Sequence, residues 1–201
     1  MKLATESLPH AFDAEPVPPP ETGGPTDAEL VVGLKAGRPE ALTVLVRRYQ
    51  RSLYFMCYRY VHDHDAAADL SQRAFMRVME RIGDLRDADI FRSWLFAIGL
   101  NLARNHLRYH ARFVAACHCE QAVAPEAEAW VELAERRSAL RRAVDRLPNK
   151  QRMVVELRVY DDLSFRDIAR TIDSTENAAK VNFHLAVKKL RGLLQPASER
   201  N

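Results

Sequence analysis

Asn177, Lys180, His184, Lys188 and Arg191 fall three or four residues apart, so on a helix they form one stripe. An amide and an imidazole can address base edges, and the cations can meet phosphates, as on a helix that enters a DNA groove. A solvated basic face on an ordinary bundle helix is the competing reading, and the stripe alone leaves the two even. Ala179, Phe183, Val187, Leu190 and Leu194 form a second, apolar stripe offset by about a quarter turn or more. Just upstream stands "LSFRDIARTID". Ser164 suits an N-cap with Asp167 in an imperfect capping box, and Ile168, Ala169 and Ile172 supply a buried side. After a turn at Asp173 and Ser174, either Ser174 or Thr175 caps the next helix, and Glu176 complements its positive end. A short helix, a tight turn and a second helix predict a helix-turn-helix, which tips the stripe toward DNA.

A second row of similar chemistry lies in "FRSWLFAIGLNLARNHLR". Asn101, Arg104, Asn105 and Arg108 share one face, at helical spacing, while Phe91, Trp94, Leu95, Ile98 and Leu102 share another. Amides and cations beside aromatics suit melted DNA, whose phosphates and bases are both available. Phe91 and Trp94 themselves are expected in the core. His106, His110, Cys117 and Cys119 follow closely, and these types bind zinc. The Cys-x-Cys spacing is shorter than usual structural pairs, so the reading carries no metal and no cofactor.

The elements that would position these rows are all helical. With 201 residues, 47% hydrophobic, the chain can bury one core or two small ones. The net charge of +3 is too mild to identify a partner by itself. No apolar run approaches a membrane span and no secretory h-region opens the chain, so a cytoplasmic protein without membrane insertion is expected. Three cysteines, Cys57, Cys117 and Cys119, do not make a disulfide framework. Residues 1–26 include "EPVPPPETGGP" and read as a disordered, proline-rich tail. Thr26 or Asp27 then caps a first helix. "PEALTVLVRRYQRSLYFMCYRYV" is a second, with Leu42, Leu45, Val46, Tyr49, Leu53 and Met56 at helical spacing. "DAAADLSQRAFMRVMERI" is a third, with Leu70, Ala74, Phe75, Val78 and Ile82 as its apolar face. A fourth runs from about Ile90 to His110. The predicted fold is all-α: a helical bundle over 27–112, a flexible linker over 113–129, and a second bundle over 130–196 that carries the helix-turn-helix. Pro148 sits where a helix of that second bundle starts.

Several segments resemble extracytoplasmic-function (ECF) sigma factors, the small two-domain members of the sigma-70 family of bacterial RNA polymerase. In the first bundle these are "DLSQRAF" from Asp69 to Phe75 and "FRSWLFAIGLN" from Phe91 to Asn101. In the second they are Leu147-Pro148, Gln151-Arg152, Leu163-Ser164, Ile168-Ala169, and Lys180 with His184. The resemblance covers about Asp27 to Leu194, and it implies a region 2-like domain followed by a region 4-like domain. It implies that Asp69, Leu70, Gln72 and Phe75 grip the clamp helices of the polymerase β′ subunit. It further implies that the loop from Gly83 to Asp89, with Asn101, Arg104, Asn105 and Arg108, captures the −10 element. The −35 element then falls to Thr175, Asn177, Lys180, His184 and Lys188. The implied function is an alternative sigma factor that binds core polymerase, β flap included, and directs promoter recognition, melting and initiation at a stress- or signal-responsive regulon. An anti-sigma factor is the implied restraint, and no catalytic site is expected.

Two departures stand out. Just before Leu70 the family usually carries acids, whereas this chain has Ala66, Ala67 and Ala68, with Arg73 further on. Fewer interface charges slow or weaken docking. Drift offset by apolar contacts is one explanation; phosphorylation of Ser71, restoring negative charge, is the sharper one. Asp173-Ser174 also replaces a more usual glycine and apolar residue, a change that aspartate tolerates in a turn. The rival function is a helix-turn-helix regulator that never binds core polymerase as a subunit. "DLSQRAF" and "FRSWLFAIGLN" discriminate, because a regulator needs neither. No P-loop, glycine-rich dinucleotide turn or zinc-protease motif supports an enzyme.

Overall fold

The computed structural model describes residues 24–114 and 139–194, the side chains of 110–114 excepted. Every regular element among the described residues is helical. Helix α1 spans Asp27–Lys35 and starts in a complete capping box. The Glu29 N–H donates to Thr26 Oγ1 at 3.2 Å, and the Thr26 N–H donates back to the Glu29 carboxylate at 2.7 Å. Thr26, not Asp27, is therefore the cap. Asp27 instead accepts from Arg48 and from the Tyr49 hydroxyl, tying α1 to the next helix. Gly37 takes φ +78°, a left-handed turn after α1 that glycine enters without steric cost.

Helix α2 spans Pro39–Val61, with proline in its first turn where a backbone donor is not needed. It stops at His62 in left-handed geometry. Asp63 then caps α3, His64–Arg81, by accepting from the Ala66 N–H at 2.7 Å. Leu45, Leu53 and Met56 of α2 and Ala67, Leu70, Ala74 and Val78 of α3 are buried, as their helical spacing predicts. Leu42, Val46 and Ile82 are half-buried at the margin. Two 3₁₀ turns, Ile82–Asp84 and Ala88–Ile90, follow, with Leu85 buried between them.

Helix α4 spans Phe91–Val114. Phe91, Leu95, Phe96, Leu100 and Ala103 are buried, whereas Trp94, Ile98 and Leu102 are half-buried. Phe91 and Leu95 are buried as expected, but the buried face is centred about one position further round, taking in Phe96, Leu100 and Ala103, which the sequence pattern left out.

The chain divides into two compact units between Phe91 and Arg92. The division falls one helix before the expected boundary at 112, because the start of α4 is held by the second unit. The Thr171 hydroxyl donates to the Ser93 carbonyl at 3.2 Å, and Arg92 donates to the Asp161 carbonyl. The second unit continues with a helical stretch over 139–145, here α5. Next come α6 (Asn149–Val159), α7 (Phe165–Thr171) and α8 (Glu176–Leu194). Pro148 precedes α6 directly as its N-cap. Arg152 joins α5 to α6 by pairing with Asp145 at 3.2 Å and with the buried Glu156 at 2.9 Å. Burial of a carboxylate is costly unless it is paired in this way. Met153, Val154, Leu157, Leu163, Ile168, Ala169 and Ile172 complete the core of this unit.

Candidate nucleic-acid and protein interfaces

The geometry of α8 follows from a cap, a turn and one apolar side. Ser164 Oγ accepts from the Asp167 N–H at 3.1 Å and starts α7. Asp173 takes φ +52°, and the Ser174 N–H reaches back to the Ala169 carbonyl at 2.8 Å, closing the turn. Thr175, not Ser174, caps α8: its hydroxyl accepts from the Ala178 N–H at 3.2 Å. Ala179 and Ala186 are fully buried, and Phe183 and Leu190 pack against Leu147, Val155 and Ala186. The Phe183 ring meets the edge of Phe165 at 5.5 Å between centroids, fixing α8 against α7. Leu194, expected in the apolar stripe, is exposed instead, because the stripe leaves the core in the last turn.

With that side buried, Asn177, His184 and Lys188 point outward, and Lys180 and Arg191 flank them; all five are exposed. Lys180 pairs with Glu176 at 2.7 Å. The hydrogen bond and charge of Lys180 hold the Glu176 carboxyl below its ordinary value. Asn182 is half-buried beside this row, its amide donating to the Ala178 carbonyl at 2.8 Å. Sequence reasoning missed Val181 and Leu185, which are 50% and 46% exposed beside this row. Exposure, unlike periodicity, separates them from the core leucines of the same helix.

On α4, Asn101, Arg104, Asn105 and Arg108 are all exposed, as one face at helical spacing requires. Arg108 donates to the Asn105 side-chain oxygen at 2.6 Å, which aligns the two groups. Tyr109, 73% exposed, stands beside Asn105 on the helix surface and went unremarked in the sequence. Of the four residues considered for metal, His106 is half-buried on α4. The side chain of His110, with Cys117 and Cys119, lies outside the described residues.

The third surface belongs to α3 and corrects the sequence reading in three places. Asp69 and Gln72 are exposed as expected. Leu70 is 1% exposed, so it holds α3 to its own unit and is not free to touch a partner; Phe75 is buried on the same side, with one edge of its ring fronting an open groove between α2 and α3. Ser71 is buried as well, and its hydroxyl donates to the Ala68 carbonyl at 2.9 Å. It lines a cavity of about 500 Å³ with Gln50, Arg51, Tyr54, Phe55 and Phe75. A phosphate on Ser71 would stand in this groove between α2 and α3, which Gln72 also lines, and not on the outward row of Asp65 and Asp69. Ala67 is fully buried too, so an acid at that position would not face outward. The outward row is Asp65, Asp69, Gln72 and Met76, with Met79 alongside. Met76 is 62% and Met79 47% exposed, and the sequence reading singled out neither.

Among the described residues no helix is long and apolar enough to cross a membrane.

Two exposed polar rows, one of them on the second helix of a helix-turn-helix, give the chain the build of a DNA-binding protein. Family models sharpen the class: Sigma-70 region 2 matches residues 45–113, and Sigma-70 region 4 matches residues 137–190. The chain belongs to the ECF group of the sigma-70 family. It is 28% identical over 182 residues to the RNA polymerase sigma-H factor of Pseudomonas aeruginosa, covering 85% of this chain and 94% of that one. It is 27% identical over 187 residues to the ECF RNA polymerase sigma-E factor of Escherichia coli, covering 87% and 97%. Among solved structures it resembles CnrH in complex with the cytosolic domain of CnrY, with a TM-score of 0.64 and 26% identity, over 84% of this chain and 96% of that one. A likeness of fold alone links it to the sigma factor RpoE bound to the anti-sigma factor NepR from Bartonella quintana, with a TM-score of 0.61 and 20% identity, covering 76% and 95%.

Proposed function

We propose that this chain acts as an alternative sigma factor, joining core RNA polymerase to a defined set of promoters. The observation that carries the reading is the match to region 2 and region 4 in that order, each bearing its own exposed amide-and-cation row. Residues 27–112 form the region 2-like domain, 113–129 the linker and 130–196 the region 4-like domain. In the first, Asp69 and Gln72, extended by Asp65, Met76 and Met79, dock on the β′ clamp helices. Leu70 and Phe75 hold that row in place from beneath. The loop from Gly83 to Asp89 and the row Asn101, Arg104, Asn105 and Arg108 take the melted −10 strand, where the exposed Tyr109 ring offers a base a stacking surface. In the second, Thr175, Asn177, Lys180, His184 and Lys188 address the −35 duplex, and the same domain meets the β flap. The protein works in the cytoplasm, where polymerase and promoters are, and carries no catalytic site and no cofactor of its own. An anti-sigma factor is the proposed restraint, by analogy with CnrH, which was solved with the cytosolic domain of CnrY.

Purified protein mixed with core polymerase is expected to co-elute with it and to direct promoter-specific run-off transcription. Tight DNA binding without any association with core enzyme would favour the rival helix-turn-helix regulator. The α3 row is what argues against that rival, since a regulator working apart from polymerase has no use for it.

A further inference from the structure

The outward face of α8 is polar at its edges and aliphatic at its centre. Around the helix, Val181 stands directly opposite the buried Ala179 and Ala186, between Asn177 and His184, with Leu185 one turn further on. Both are about half exposed on the face away from the core, where burial does not call for an aliphatic side chain, and valine is moreover a weak helix former. The charges around them decide what would cover them. Lys180, Lys188 and Lys189 are exposed nearby, and the row Asn177, Val181, His184, Lys188 contains no acid. That setting suits a polyanion with apolar groups on its floor. The major groove of duplex DNA offers such groups only as the C5-methyls of thymine.

We infer that Val181 and Leu185 read thymine methyls in the −35 element, an inference that rests on α8 being the helix that enters that groove. Four residues of helix advance about 6 Å, close to two base-pair steps. The two side chains therefore select thymines about two steps apart, on either strand. Asn177 and His184 supply hydrogen bonds to neighbouring base edges, and the lysines hold the phosphates.

The test uses holoenzyme assembled from the full chain and core polymerase. Promoter duplexes randomised across the upstream hexamer are selected for binding, and each thymine of the enriched element is then replaced singly by deoxyuridine, which removes only the methyl. Loss of about fourfold in binding per sensitive methyl is expected, the effect of one buried methyl-sized group. Val181→Ser is expected to abolish the penalty at one position and Leu185→Ser at the other, with helix content and core binding unchanged. An enriched element without thymines at that spacing overturns the inference, as do deoxyuridine penalties that are absent or unchanged in both variants; the sigma-factor reading survives either result. Variants that lose core binding while keeping full methyl sensitivity also overturn it, assigning the pair to a protein contact. A holoenzyme that selects no promoter element overturns both readings together.

Discussion

Helix α3 turns Asp65, Asp69, Gln72 and Met76 outward, whereas α8 turns out Asn177, Val181, His184 and Lys188. Both helices bury one side on alanines and larger apolar residues, and both start with an oxygen that caps the first turn. Both also expose a pair of apolar side chains within that outer face: Met76 and Met79 on one, Val181 and Leu185 on the other, apart from Leu193 and Leu194 in the last turn of α8. The difference lies in the frame around those pairs. Acids frame the methionines, and flexible, polarisable methionine adapts to an uneven protein surface. Lysines frame the valine and leucine, which are stiffer and suit a regular groove. The inner faces specify where each helix sits in the fold, and the charge of the outer row specifies what each can meet.

The sharpest way to break this comparison is to exchange inner for outer residues on α3. Leu70→Ala is expected to cost roughly 2–5 kcal/mol in thermal or denaturant unfolding, as for any buried leucine that leaves a cavity. A loss of less than about 1 kcal/mol, together with weakened polymerase binding, would return Leu70 to the interface that its motif implied. Outside the core, Met76→Lys combined with Met79→Lys is expected to leave stability within about 0.5 kcal/mol. Core-polymerase affinity should nonetheless fall by about tenfold or more, since exposed apolar groups at the centre of a contact carry much of its energy. Competition against the unmodified protein for core enzyme measures this, and an unchanged affinity would move the docking surface off α3.

These contrasts also mark where the sequence was legible. Helical periodicity located the inner faces of α2, α3 and α7 well, because burial repeats with the helix. The polar row of α8 was legible too, since Asn177, Lys180, His184 and Lys188 had nowhere to go but outward once Ala179 and Phe183 turned in. Val181, Leu185, Met76 and Met79 were not legible, because a search for apolar periodicity follows the buried face and passes over single apolar residues on the outer one. Leu70, Ser71 and Phe75 failed for the opposite reason. A motif records both the residues that touch a partner and those that hold the helix beneath them, and spacing does not tell them apart. The hydrogen bond from Thr171 to Ser93 was not legible either, since it joins stretches far apart in the chain.

On the DNA side, Lys188→Ala should weaken binding to the −35 duplex nearly uniformly across sequences, unlike the two aliphatic variants. Losing one phosphate contact is expected to lower the slope of log affinity against log salt by about one, read from a salt titration of the holoenzyme. A sequence-selective loss with an unchanged slope would make Lys188 a base reader. Arg73→Ala on α3 should leave the slope untouched, because that arginine faces Asp69 at 3.3 Å on the protein-facing side.

The smallest expected effect concerns Glu176, which pairs with Lys180 of the α8 row. Its carboxylate accepts from Lys180 at 2.7 Å and so competes with a phosphate for the same ammonium. Glu176→Gln frees Lys180 and removes a negative charge from the approach to DNA, so −35 duplex affinity should rise roughly two- to threefold, less than a whole new phosphate contact provides. Acid does not reproduce the variant. A carboxyl whose folded value is depressed keeps its pair above that value and loses it only as pH falls through it. Lys180 lowers the value for Glu176, so the pair is lost only as pH falls through a value below that of an ordinary glutamate. Duplex affinity of the unmodified protein, compared at pH 7.5 and at pH about 5.5, should therefore show no gain traceable to Lys180, while the variant keeps its advantage at both. A variant with unchanged affinity would mean that Lys180 stays on its own helix when DNA binds, leaving Lys188 and His184 to carry the groove contact.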